Sequence, residues 1–171
     1  MRSTPDDPTW TAFIYHDHKS WFPGSGYLVE KLFRDHYAEK YLASTSGSFT
    51  DMPDRNQFFD SVSQMKPLNW KPGTVDAIAT ASEDGKRIIV KAVNYTGDSS
   101  VLLVRLQGSQ LPANASAKMY SLSAELTAAA SIEEPDKIKV TESVLPYSRD
   151  LAITLAPYAV VVVEIKDSDK Q

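Results

Sequence analysis

Between Ile14 and Phe22 the chain reads IYHDHKSWF, which sets two imidazoles, a carboxylate and an indole close together. Imidazole nitrogens donate and accept hydrogen bonds and an indole offers a broad apolar face, so His16, His18 and Trp21, with Phe22, are candidate substrate-binding residues. The same letters also resemble a metal cluster. Successive strand residues point to opposite faces, however, so His16 and His18 would share a side without Asp17; no third ligand is evident and no metal site is expected. A plain solvated loop is the competing reading of the whole stretch.

Other residues invite chemistry less strongly. Glu30 with Asp35, or Glu133 with Glu134, could be taken for a carboxylate pair, but solvated helix and loop charges are far commoner, and no catalytic residue is assigned. Trp10, Trp21 and Trp70 could form a stacking platform, against which stands the ordinary use of tryptophan as a core or interface anchor. Asn94-Tyr-Thr and Asn114-Ala-Ser satisfy the glycosylation sequon, a short pattern that also arises by chance.

Two kinds of element must position these residues. Thr11 to Asp17 reads as a strand, SWFPGSG as a turn, and Tyr27, Leu28, Leu32, Phe33, Tyr37, Tyr41 and Leu42 recur at helical spacing, with Ser25 as N-cap and Ser44 to Gly47 as the stop. Strand, turn and helix make half of a βαβ unit, so residues 1–47 are expected to form one piece. Residues 48–74 are polar and proline-punctuated and read as a linker with packing anchors. From Val75 the period becomes two. VDAIATAS, RIIVKAVN and VLLVRLQG read as a meander, and SAKMYSLS, IKVTESVL, DLAITLAP and AVVVVEIK continue it, so residues 75–171 are expected to form an antiparallel β-sandwich of about seven strands. AVVVVEIK is apolar on both faces and belongs at the centre of a sheet.

Composition bounds the function. With 171 residues, 42% hydrophobic and 23% charged, the chain can bury a real core. Its net charge of −4 and scattered lysines and arginines give no field for phosphate backbones, so no nucleic-acid partner is expected. The absence of cysteine removes disulfides and thiolate chemistry and leaves the redox compartment open. No apolar run is long enough to span a bilayer, so no membrane partner is expected; no signal peptide is visible, and localisation stays unassigned.

The order of these elements and several residues within them resemble the C-terminal end of the family 51 glycoside hydrolases, the α-L-arabinofuranosidases. The similarity runs from about Trp10 to Lys166. It is carried by Trp10, Ile14, Tyr27, Lys31, Leu32 and Phe33, by the hairpin VDAIATASEDGKRIIVKAVN and by the terminal LPYSRDLAITLAPYAVVVVEI; ELTAAASIEEPD, from Glu125, departs from it. The resemblance implies a mainly β chain, a jelly-roll-like antiparallel sandwich preceded by a strand-helix remnant of a (β/α)8 barrel. It also implies that the retaining pair of glutamates lies at barrel-strand ends upstream of anything matched here, with no cofactor. The expected role is then structural, in an accessory region whose partners are the remaining barrel, in cis or in trans, and, in an intact enzyme, arabinose-containing polysaccharide. A stand-alone carbohydrate-binding module is the alternative. On the first reading His16, His18 and Trp21 follow a barrel strand, at whose C-terminal end active sites gather, and could rim a sugar pocket. The helix side chains Tyr27, Leu28, Leu32, Phe33 and Tyr37 have then lost a barrel and are expected to be partly exposed or folded onto the sandwich and linker.

Overall fold

The structure, a computed structural model, describes residues 13–44, 75–108 and 115–167. The expected linker at 48–74, Trp10, Trp70 and Asn114 lie outside the described residues. Period-two patterning becomes a ladder where it was expected. Strands β4 (Val75–Ala81) and β5 (Arg87–Asn94) are joined by a turn in which Asp84 Oδ1 accepts from Ser82 Oγ at 2.7 Å and from the Lys86 amide at 3.1 Å, while Gly85 takes φ 69°. A left-handed φ is open to glycine at little steric expense, which explains DG in this turn. Then follow β6 (Ser100–Arg105), β7 (Ala115–Leu122), β8 (Thr141–Leu145), β9 (Asp150–Leu155) and β10 (Val160–Asp167).

These strands form an antiparallel β-sandwich. The larger sheet has six strands ordered β3-β4-β5-β10-β7-β8, where β3 is the two-residue strand Lys40–Tyr41, and β6 pairs with β9 in the facing sheet. The expected meander therefore breaks after β5: β6 crosses to the other sheet instead of pairing with its neighbour in sequence. Strand β10 lies between β5 and β7, as its apolar faces require. Ala81, Val90, Ala92, Ala117, Ile153, Leu155, Val161, Val163 and Ile165 fill the core between the sheets. In β6, Leu102 and Val104 pack on that core while Val101 and Leu103 face outward, the half-buried pattern read from their alternation.

The opposite face of β10 is also covered. Ile89, Leu122 and Val162 form a second buried cluster with Leu32 and Ala38, against which Leu28, Val29, Phe33 and Tyr120 pack. Helix α1 (Ser25–Asp35) thus lies on the outer face of the six-stranded sheet. It is shorter than expected. Gly24, not Ser25, is the N-cap, without a side-chain bond, and the chain leaves the helix at His36 (φ −115°, ψ 69°). Lys40 and Tyr41 then pair with Ala81 and Thr80, so edge-strand hydrogen bonds replace the last turns of helix that the spacing of Tyr37, Tyr41 and Leu42 implied. Those three side chains are exposed, Tyr41 at 82%.

The turn expected at SWFPGSG is also partly strand. β1 (Ile14–His16) and β2 (Trp21–Pro23) form an antiparallel hairpin that leads directly into α1. No helix among the described residues is long and apolar enough to cross a membrane.

Candidate functional site

The candidate sugar-binding residues sit on the β1–β2 hairpin. Asp17 builds its turn by accepting hydrogen bonds from the amides of Lys19 at 2.7 Å and Ser20 at 2.6 Å, and those donors hold its carboxyl below the usual range. On one face of the hairpin Tyr15 stacks on Phe22, ring centroids 5.1 Å apart, and Phe22 is buried. On the other face His16 stands opposite Trp21 and Ile14 opposite Pro23. His16, His18 and Trp21 are all exposed, Trp21 at 64%. The pairing of His16 with Trp21 was not legible in the sequence, and the strand alternation that would set His16 and His18 on one side does not reach His18. The strand ends at His16, which puts His18 in the turn. Among the described residues no group of three histidines, acids or cysteines could hold a metal ion.

A second polar cluster escaped the sequence reading. Glu164 is the one acid in the apolar run of β10 and is 4% exposed, beneath the end of α1. Its carboxyl oxygens face Arg87 at 3.5 Å, Lys166 at 3.1 Å and His36 Nδ1 at 3.8 Å. Arg87 also donates to the carbonyl of Tyr37, and Lys91, four residues further along the same face of β5, donates to the carbonyl of Phe33 at 2.8 Å while lying 4.9 Å from the centre of its ring. Two cations from β5 therefore meet carbonyls at and just beyond the C-terminal end of α1, where the helix dipole favours positive charge. This cluster fastens the helix. A lone glutamate flanked by four valines was its sequence signal, since an acid is buried only with partners.

The charges offered as carboxylate pairs have other occupations. Asp35 is bonded to Lys31 first and to Arg34, which lower its pKa. Glu133 and Glu134 are exposed on a loop. Asn94, the first sequon residue, is 1% exposed; its amide donates to the carbonyls of Asp98 at 2.8 Å and Ala156 at 2.9 Å, and its oxygen accepts from Thr96. An amide so occupied ties two loops together.

No protein-family model matches the chain, and no curated protein matches it. Solved structures do. A structure described as the crystal structure of arabinofuranosidase matches with TM-score 0.68 and 20% identity over 90% of this chain and 31% of its own. The arabinose-bound MgGH51 α-L-arabinofuranosidase matches with TM-score 0.69 and 17% identity over 92% of this chain and 22% of its own. The thermostable GH51 α-L-arabinofuranosidase from Thermotoga petrophila RKU-1 matches with TM-score 0.51 and 26% identity over 56% of this chain and 20% of its own. The chain is built like part of a family 51 α-L-arabinofuranosidase. The first two likenesses speak for the fold, and the third adds sequence identity over a shorter stretch. The family 51 resemblance and the mainly β sandwich expected from the sequence both hold. The chain spans less than a third of the length of each of these three structures.

Proposed function

We propose that this chain is a non-catalytic accessory region of an α-L-arabinofuranosidase-like glycoside hydrolase, acting by supporting and covering a barrel that bears the catalytic residues. The observation that carries the reading is a fold shared over 90% of this chain with an arabinofuranosidase of which it spans only 31%. The exposed apolar surface of the N-terminal unit supports it. Phe13, Ile14 and Trp21 crowd one small hairpin with their side chains in solvent, a surface suited to a neighbouring barrel unit. On this reading His16, His18 and Trp21 belong to the rim where barrel and sugar meet, residues 1–47 descend from the last barrel unit, and 75–171 form the sandwich. Retaining hydrolysis needs two carboxylates about 5 Å apart with a sugar between them. Glu164, the one buried carboxyl among the described residues, is enclosed by Arg87, Lys166 and α1 instead.

The intact enzyme would release arabinofuranosyl groups from arabinose-containing polysaccharide. A carbohydrate-binding module is the second reading, favoured by the exposed Trp21 and its partner His16. The coding sequence next to this one tells them apart. An in-frame or adjacent barrel with glutamates at two strand ends is the expected finding. A neighbourhood without a barrel, together with retention of the purified chain on insoluble arabinan that Trp21→Ala abolishes, would overturn the proposal in favour of the binding module.

A further inference from the structure

The contact that holds α1 to the sheet contains a titratable ring. His36 lies where the helix ends, its ring 4.1 Å from that of Tyr120 between centroids, and its Nδ1 is buried without a hydrogen-bond partner, 3.8 Å from Glu164 Oε2. Glu164 from β10 and Asp35 from α1 favour a proton on the imidazole; Lys166 from β10 and Arg87 from β5 oppose it. Tyr120 from β7 covers one side of the ring, and Lys31, Asp136 and Lys139 line the groove alongside. Since Arg87 also donates to the Tyr37 carbonyl, the residues immediately after the helix are fastened through this one cluster.

We propose that the docking of the hairpin-helix unit on the six-stranded sheet is an acid-sensitive latch, in which protonation of His36 releases α1 while the sandwich stays folded. The two apolar clusters make such partial opening feasible. The core between the sheets contains no residue of α1, whereas Leu32 and its neighbours belong wholly to the outer contact. Local opening of an element that contributes nothing to the main core leaves that core intact.

The direction of the effect follows from where His36 loses water. Burial, the largest influence, lowers the imidazole's proton affinity in the docked state below its ordinary 6.5; once undocked, the ring is in water and regains that value. Above about pH 6.5 the ring is neutral in both states and docking has its full strength. As the pH falls further the undocked state takes the proton first, so docking weakens until the docked ring is protonated too. Each pKa unit between the two states is worth about tenfold in the opening constant.

Amide hydrogen exchange on the full chain, corrected for intrinsic rates, tests the latch. Peptides from α1 and from β10 are compared at about pH 7.5 and about pH 5.5, below the ordinary histidine pKa. The opening constant of α1 is expected to rise at least about threefold on acidification while β10 keeps its protection, and the rise is expected to vanish in His36→Phe, which retains an aromatic ring against Tyr120. His36→Gln serves as a second non-titrating variant should the first fail to fold. An α1 whose opening is unchanged by acid, a β10 that opens together with it, or a rise that persists in both variants would overturn the proposal.

Discussion

Asn94 shows how much a single polar side chain can organise. Its Nδ2 links the carbonyls of Asp98 and Ala156, its oxygen accepts from the amide and hydroxyl of Thr96, and its own amide donates to Ala159 at 2.9 Å. The loop it fixes passes close to Tyr158, and a Cβ on Gly97 would stand 3.0 Å from the Tyr158 hydroxyl, a contact that the tyrosine side chain would have to relieve. Removing this buried amide takes the partner of the Thr96 amide and one of the donors of the Asp98 and Ala156 carbonyls, which keep only the Thr96 hydroxyl and the Ala159 amide. Asn94→Ala is expected to destabilise the chain by roughly 2–4 kcal/mol in denaturant unfolding. Expressed in a glycosylating host, the chain is expected to carry no glycan on Asn94; a glycopeptide at that position in folded protein would contradict the buried placement. Sequence alone left the sequon undecided, because N-Y-T says nothing about whether the amide faces water. Glu164 was equally hidden. The letters VVVVEIK mark an acid in an apolar strand, but its neighbours His36, Arg87 and Lys166 are assembled around it only by the folded chain.

At the scale of elements, the strands were the most legible part. β4, β5, β7, β9 and β10 fall on the runs whose alternation or continuous apolar character announced them, since side-chain period directly records which faces are buried. Pairing was less legible: a strand's pattern names its buried face and not its neighbour, so the crossing of β6 to the second sheet escaped notice. The helix was correctly placed and overextended. Tyr37, Tyr41 and Leu42 continue the helical spacing, yet Lys40 and Tyr41 complete the edge of the sheet and expose their side chains. The Pro23-Gly24 signal similarly concealed β2, because a turn was assigned to residues that pair with β1. The docking of α1 rests on Leu32, which is 4% exposed among Leu122, Ile89 and Val162. Leu32→Ala is expected to lower the free energy of helix docking by roughly 2–4 kcal/mol, enough to remove most exchange protection of α1. Tyr41→Ala, at an exposed edge, is expected to change stability by less than about 1 kcal/mol. Equal effects of the two would mean that the helix contact is not the one described.

For the whole molecule, the layers divide the buried apolar side chains between two clusters. The sandwich owns the core between its sheets, and helix α1 rests on its outside, held by one apolar patch and the Glu164 cluster. The apolar face of α1, expected to be left without its barrel, finds much of its cover on the sandwich; Trp21, Phe13 and Ile14 on the hairpin do not. The proposed accessory role would use that uncovered hairpin surface. The candidate rim residues were legible by type, and the facing of His16 and Trp21 across the hairpin was not, because it depends on the register of β1 and β2. The measurement that bears most directly on the central claim is hydrolysis of an aryl α-L-arabinofuranoside by the highly purified full chain. If, as proposed, the two carboxylates that flank the sugar belong to a barrel outside this chain, release of the aryl group is expected to equal that of buffer at every enzyme concentration. Turnover that scales with the chain through purification and is lost in Glu164→Gln or Glu30→Gln would contradict the account, and the chain would then be a small hydrolase in its own right.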